Sequence, residues 1–167
     1  MITKDQFLGS LDHEFMTIRH LASKITDEQL SYRPTPGQRN LLELLQYMSF
    51  LFSTTAEVLI NGDMSIYQSR SEAAALLTYA DFDAAMEAQM KHIRTVIEPL
   101  SEEQLAEEVN MWVTQSRAMH FLNGLLKWSA AYKMQLFLYL KASGSTELNT
   151  SNLWAGVDAQ PRADAQA

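Results

Sequence analysis

The sequence predicts an all-α domain built as a four-helix bundle, and three observations support this fold class. Apolar residues recur over four long segments at the three-and-four spacing of a helical face. Proline and glycine residues separate these segments, and no alternating strand pattern occurs between them. The chain has 167 residues, a length that suits one domain with one hydrophobic core.

The first predicted helix runs from Lys4 to Ile25. Its apolar residues share one face, and they are Phe7, Leu8, Leu11, Phe15, Ile18, Leu21, Ala22 and Ile25. The following stretch, SYRPTPGQRN, contains Pro34, Pro36 and Gly37, which interrupt helices and indicate a loop. Two short motifs, TDEQL and SEEQL, begin with capping pairs and therefore predict single-turn helices in the connectors.

The second predicted helix is apolar around nearly its whole circumference. It runs from Leu41 to about Ile60 and ends at Asn61-Gly62, a pair that favours the left-handed conformation of a helix C-terminus. A single small bundle covers only one side of such a helix. The pattern therefore predicts a homodimer through helix two, with Phe50 and Phe52 at the interface.

A long crossover is predicted over residues 63–77, with a short helix around Glu72 to Leu77. Helix three is predicted from Phe82 to Glu98, because Pro99 stops it. Helix four is predicted from Arg117 to Ala142, where the apolar face is longest.

These elements divide the chain into a bundle, residues 1–145, and a C-terminal tail, residues 146–167. Leu153 and Trp154 are expected to dock part of the tail on the body of the bundle. The last ten residues are polar or rich in alanine, a composition typical of disordered termini.

Charge and composition exclude several classes of function. Thirteen basic and twenty acidic residues give a net charge of −7, without a run of Lys or Arg, so nucleic acid is not an expected partner. No apolar segment reaches the ~20 residues needed to cross a membrane. Asp5 and Asp12 are atypical of a signal peptide, so the expected location is cytoplasmic. The absence of cysteine excludes disulfides and thiolate metal sites.

The four histidines give weak support for a metal site. His13 and His20 share the polar side of helix one and are expected to be solvated. His92 flanks the apolar stripe of helix three, and His120 lies in the first turn of helix four, where it could meet His92 across the bundle. Two imidazoles without a third ligand do not specify a metal.

A set of aromatic and polar residues on otherwise apolar faces is the best candidate for a site. Trp128, Tyr132 and Gln135 lie at i, i+4 and i+7 on helix four, with Ser129 beside them, and Tyr47 could approach them from helix two. Two interpretations remain open. The set is either a packed core in which Trp and Tyr polar groups find partners, or a small-molecule pocket with converging hydrogen-bonding groups.

Three segments, TDEQLSYRPTPGQRNLLELLQYM, LSEEQL and AAYKMQLFLYLKASG, resemble the DinB-like superfamily in their order and spacing, over about residues 4–145. The resemblance implies a four-helix bundle with a long crossover between helices two and three. It also implies a divalent metal, often nickel or zinc, held by three histidines. Those positions fall at Tyr47, Trp128 and Tyr132, so all three ligands are replaced, while Lys133 and Gln135 match a basic residue and an amide of the family motif.

The replacements favour one of three hypotheses, because Trp offers no lone pair to a metal and a phenol replaces imidazole poorly. The first is a protein without metal or other cofactor that binds a small organic ligand in a cleft lined by the five residues of the aromatic and polar set. The second is an enzyme of the family's transferase or hydrolase type. It would depend on a divalent metal such as nickel or zinc, displaced to His92 or His120, or would use Tyr132 as a general acid–base group. The third is a dimeric structural or interaction module.

Overall fold

The computed structural model describes residues 2–159, and helices make up nearly all of its regular structure. In chain order the α-helices and strands are α1 Lys4–Ala22, α2 Leu41–Asn61, α3 Ser65–Ala74, α4 Phe82–Ile97, α5 Glu102–Ala106, β1 Glu108–Asn110, β2 Thr114–Ser116, α6 Arg117–Phe121, α7 Trp128–Ala142 and α8 Thr150–Ala155, and single 3-10 turns occupy Asp27–Gln29 and Tyr79–Asp81. A π-helical segment, Leu122–Lys127, joins α6 to α7 without a break. The bundle consists of α1, α2, α4 and this composite fourth helix, which confirms the predicted all-α fold class.

Local sequence signals set the ends of α2, the central helix. Its first turn is closed by a capping box, in which the Asn40 side chain accepts from the Glu43 amide at 2.8 Å and the Glu43 carboxylate accepts from the Asn40 amide at 2.9 Å. Its last turn ends at Gly62, which has a φ of 69° in the left-handed region. Both signals lie within a few residues of the helix ends, so the sequence alone predicts where this helix begins and ends.

The apolar circumference of α2 is covered by the chain itself. Phe52 faces α1, where its ring lies 5.3 Å from that of Phe15, and Phe50 packs against Tyr67 of α3 at a ring distance of 5.2 Å. Both Phe50 and Phe52 are buried. They therefore offer no free surface to a second subunit, because α3 covers the side of α2 that the sequence assigned to a partner. The homodimer remains a prediction and would need another surface.

Two connections differ from the sequence-based expectation. The crossover helix occupies Ser65–Ala74 and so begins earlier than the predicted Glu72 to Leu77; just before it, the Asp63 carboxylate accepts from the Ser65 amide at 2.9 Å and turns the chain into the helix. An antiparallel hairpin, β1 and β2, follows α5, with Val109 opposite Gln115. The hairpin was not predicted, since strands this short do not show a measurable alternation of apolar and polar residues.

The C-terminal segment packs on α1 through α8. Leu153 is buried, whereas Trp154 is half-exposed and its carbonyl accepts a hydrogen bond from His13 Nε2 at 2.6 Å. Residues 160–167, most of the segment predicted to be disordered, lie outside the described residues. None of the helices between residues 2 and 159 combines the length with the apolar character that a bilayer-spanning segment requires.

Candidate functional site

A cavity of about 370 Å³ lies between α2, α3, α7 and the hairpin. Its floor is one face of α2 and consists of small or apolar side chains, namely Leu51, Thr54, Thr55 and Val58. Its walls are aromatic and come from different elements; they are Tyr47, Tyr67, Trp112 and Trp128. Met64, which is half-exposed, completes the lining at the rim. The volume falls within the range of small-molecule pockets, about 300–1,000 Å³.

The fourth helix reaches this cavity because it approaches α2 closely at Gly124. A Cβ atom at Gly124 would lie 3.1 Å from Thr55 Cγ2, so a larger residue would require Thr55 to shift by a few tenths of an ångström in a packed interior. Gly124 belongs to the π-helical segment, whose wider turn shifts the direction of the residues that follow. Trp128 is the first residue of α7 after this segment, and its indole ring lies in the cavity wall.

Tyr47 is the central polar group of the wall. Its ring meets that of Tyr132 edge to face at 5.4 Å, and the guanidinium carbon of Arg39 lies 3.8 Å from its centroid. Burial, followed by hydrogen bonding with Tyr67 and Tyr132, raises the pKa of Tyr47 above its ordinary value of 10. The phenol therefore stays protonated at neutral pH and acts as a neutral hydrogen-bonding group.

Trp112 forms the outer wall from the turn of the hairpin. Its ring lies 5.2 Å from that of Trp128, and 56% of its surface is exposed. The hairpin is anchored by His120, a buried residue whose Nε2 donates to the Val109 carbonyl at 2.9 Å and whose Nδ1 accepts from the Gln115 amide at 3.1 Å. His120 therefore positions the hairpin that carries Trp112.

The structure brings part of the predicted aromatic and polar set to the cavity. Tyr47 and Trp128 line it, and Tyr132 packs behind Tyr47. Ser129 is buried and donates to the Leu126 carbonyl at 2.9 Å within its own helix. Gln135 donates to the hydroxyl of Tyr139 at 2.9 Å. Ser129 and Gln135 are therefore outside the lining and satisfy polar groups of the bundle.

Sequence reasoning missed the lining residues Met64, Tyr67 and Trp112. Tyr67 and Met64 belong to the crossover, where helical periodicity over a short segment says little about which face is covered. Trp112 was the residue with a usable signal, because an indole in the MWV stretch, between SEEQL and helix four, belongs to no predicted helical face. A large aromatic residue without a helical neighbour is a candidate for a lid over a pocket.

The predicted approach of His92 to His120 does not occur. His92 Nε2 lies 3.0 Å from Glu57 Oε2, and the same carboxylate also contacts Arg70. His120 has its partners in the hairpin, as described above. Among residues 2–159, no group of three His, Asp or Glu side chains is placed to hold a metal ion.

The two histidines of α1 lie under the C-terminal segment. His13 is exposed, as predicted, although it donates to the Trp154 carbonyl. The prediction of a solvated side chain is wrong for His20, whose side chain is 16% exposed and whose Nε2 accepts from the Asn152 amide at 3.1 Å. The periodicity of α1 alone could not show that α8 covers its polar side.

Comparisons with known proteins agree with the resemblance found in the sequence. No protein-family model matches the chain. The uncharacterised protein YjoA of Bacillus subtilis strain 168 is 27% identical over 141 residues, which are 83% of this chain and 88% of that protein. The crystal structure of YjoA, described as a DinB-like protein from Bacillus subtilis, is similar with a TM-score of 0.68 and 26% identity, and the match covers 86% of this chain and 96% of that chain.

Proposed function

The chain belongs to the DinB-like superfamily, and from this membership we propose that it binds a small organic ligand, without a metal, in the cavity beside Tyr47 and Trp128. The observation that carries the proposal is the position of the cavity. Two of the three residues that match the family's metal ligands line it, and the third, Tyr132, contacts the ring of Tyr47. A pocket therefore remains at these positions although the ligand side chains differ.

The chemistry of the replaced side chains does not fit a metal. The indole of Trp128 has no lone pair to donate. The raised pKa of Tyr47 keeps its hydroxyl protonated, and a neutral phenol is a weak ligand for nickel or zinc. No step of the proposed function therefore passes through a metal.

The metal-dependent form of the enzymatic alternative needs a metal displaced to His92 or His120. His92 is engaged by Glu57, His120 is engaged by the Val109 carbonyl, and neither imidazole lines the cavity. The ligand-binding function is favoured for this reason. The dimeric interaction module, the homodimer and the cytoplasmic location remain predictions, and the molar mass in solution tests the first two.

A fragment screen by ligand-observed NMR tests the proposed function. Met64→Trp should block the rim of the cavity and abolish the signals of bound fragments, because Met64 is exposed enough to accept a larger side chain without disturbing the core. Leu76→Trp is the matched control, since Leu76 is 84% exposed and lies outside the lining. A screen without binders, or binders that Met64→Trp retains as fully as Leu76→Trp, would contradict the proposal.

A further inference from the structure

The lining of the cavity indicates the chemical class of its ligand. We infer that it takes an uncharged, planar aromatic molecule that carries a hydrogen-bond acceptor such as a carbonyl oxygen. This inference rests on the proposed function, because it concerns the same cavity. It follows from the charge, the ring content and the hydrogen-bonding groups of the lining.

The charge of the ligand follows from the lining, because none of the described side chains that line the cavity is charged. Two cations contact lining residues without belonging to the lining: Arg39, whose guanidinium carbon lies 3.8 Å from the centroid of the Tyr47 ring, and Arg70, whose Nη1 lies 3.5 Å from Thr54 Oγ1. The charge of Arg70 is already paired with Glu57, which also accepts from His92. A charged ligand would lose its hydration without gaining an ionic partner, and this loss disfavours binding.

The shape of the ligand follows from the four aromatic rings. They come from α2, α3, the hairpin and α7, so they surround the cavity from several directions. A flat ring can meet such walls in stacked or edge-to-face geometry, which adds to the gain from buried area. A saturated molecule of the same size gains only the buried area.

The polar part of the ligand follows from the donors in the lining. The indole N–H groups of Trp112 and Trp128 can only donate. The Tyr47 hydroxyl is not counted as a donor to the ligand, because it is already hydrogen-bonded with Tyr67 and Tyr132. The hydroxyl of Thr55 is already used, because it donates to the Leu51 carbonyl at 2.8 Å. The lining therefore favours an acceptor on the ligand.

A cationic ligand is the main competing class, since tryptophan faces attract cations. Cation sites of this kind bind best when a carboxylate offsets the lost hydration. Glu57 is linked to this cavity through Arg70 and Thr54, and its charge is neutralised by Arg70. The neutral class is therefore preferred, and the experiment includes a cation.

Isothermal titration with four probes of similar size tests the ligand class at neutral pH. The probes are naphthylacetamide, which is neutral and planar; naphthylacetate, an anion; naphthylethylamine, a cation; and decahydronaphthylacetamide, which is neutral but not planar. Naphthylacetamide should bind at least about tenfold more tightly than each of the others. A charged or saturated probe that binds as tightly, or a failure of naphthylacetamide to bind, overturns the ligand class.

Two tryptophan variants locate the binding. Trp112→Ala removes one wall of the cavity and should weaken the binding of naphthylacetamide about fivefold. Trp154→Ala should leave binding unchanged, because Trp154 lies outside the lining and is 55% exposed, against 56% for Trp112. Equal affinities in both variants would place the probe elsewhere and overturn the inference. The proposed function is tested separately by the fragment screen. It is overturned if no fragment binds, or if Met64→Trp leaves the binding of every fragment unchanged.

Discussion

Lys133 Nζ lies 2.9 Å from Glu14 Oε2, and this ion pair joins α7 to α1 inside the bundle. The Lys133 side chain is 1% exposed, and beyond the pair neither charged atom has a hydrogen-bond partner among residues 2–159. The ring of Trp154 lies 4.8 Å from the same ammonium, so α8 covers the pair. The cost of removing both charges from water is offset here chiefly by their mutual attraction.

Lys133→Met should lower the free energy of unfolding by about 3 kcal/mol, because it leaves the Glu14 carboxylate largely buried without a cation. Adding Glu14→Leu should restore most of the loss, since the second change removes the unpaired charge. Urea denaturation followed by circular dichroism measures both effects. Lys91→Met is the control: it breaks an exposed pair with Glu87 and should leave the free energy of unfolding nearly unchanged. If both variants lost the same free energy of unfolding, the Lys133–Glu14 pair would not be a buried pair of the kind described here.

Gly124→Ala should destabilise the chain by about 1–2 kcal/mol, because the new Cβ would lie 3.1 Å from Thr55 Cγ2 in a packed interior. Thr55→Ser removes that methyl group and should recover stability in the Gly124→Ala background. Gly9→Ala is the control on α1, where no atom of another described part of the chain lies within 4 Å of the added Cβ. It should raise the free energy of unfolding by about 0.5–1 kcal/mol. A stable Gly124→Ala variant would show that the helices can separate without cost.

The bundle could be predicted because its signals are local and repeated. The capping box at Asn40 and Glu43 and the glycine at the end of α2 lie within a few residues of the helix ends that they set. The apolar stripe of α1 repeats over several turns. Such signals do not require knowledge of what lies across the bundle.

The candidate site was predicted only in part, because half of it comes from non-local packing. Tyr47 and Trp128 were found through helical spacing and the family resemblance. Tyr67 and Trp112 reach the cavity through the crossover and a hairpin, whose arrangement depends on contacts far along the chain. The burial of Lys133 could not be predicted either, since its partner Glu14 is on a different helix.

The docking of the C-terminal segment on α1 should weaken as the pH falls. Burial, followed by the charge of Lys24, lowers the pKa of His20 from 6.5, although Asp158 partly opposes this shift. The folded chain therefore binds fewer protons than the unfolded chain just below pH 6.5. Stability is complete above pH 6.5 and decreases through the interval between 6.5 and the lower folded pKa.

His20→Gln should remove this pH dependence, since the glutamine oxygen can still accept from Asn152 but does not titrate. Hydrogen exchange of the α8 amides at pH 7, 6 and 5, corrected for intrinsic rates, measures the effect in both proteins. The lowered pKa of Asp158 affects stability only at more acidic pH, where that carboxyl protonates. If protection of the α8 amides changed with pH in the same way in the wild type and in His20→Gln, another group would cause the pH dependence.

A triple variant, Tyr47→His, Trp128→His and Tyr132→His, should bind one zinc ion per chain. The rings of Tyr47 and Tyr132 are 5.4 Å apart, and residues 128 and 132 are one helical turn apart on α7, so three imidazoles at these positions can converge on one ion. Elemental analysis after dialysis measures the stoichiometry. Added zinc should also raise the unfolding temperature of the variant, because the metal binds only the folded site.

The controls are the wild type and the double variant Tyr47→His, Tyr132→His. Two imidazoles should bind zinc weakly and lose it on dialysis, since a stable site requires at least three protein ligands. Failure of the triple variant to retain zinc would mean that these positions do not match the family's metal ligands. One zinc per wild-type chain would mean that other side chains bind it, and the cavity would then have to be reconsidered as part of a metal site.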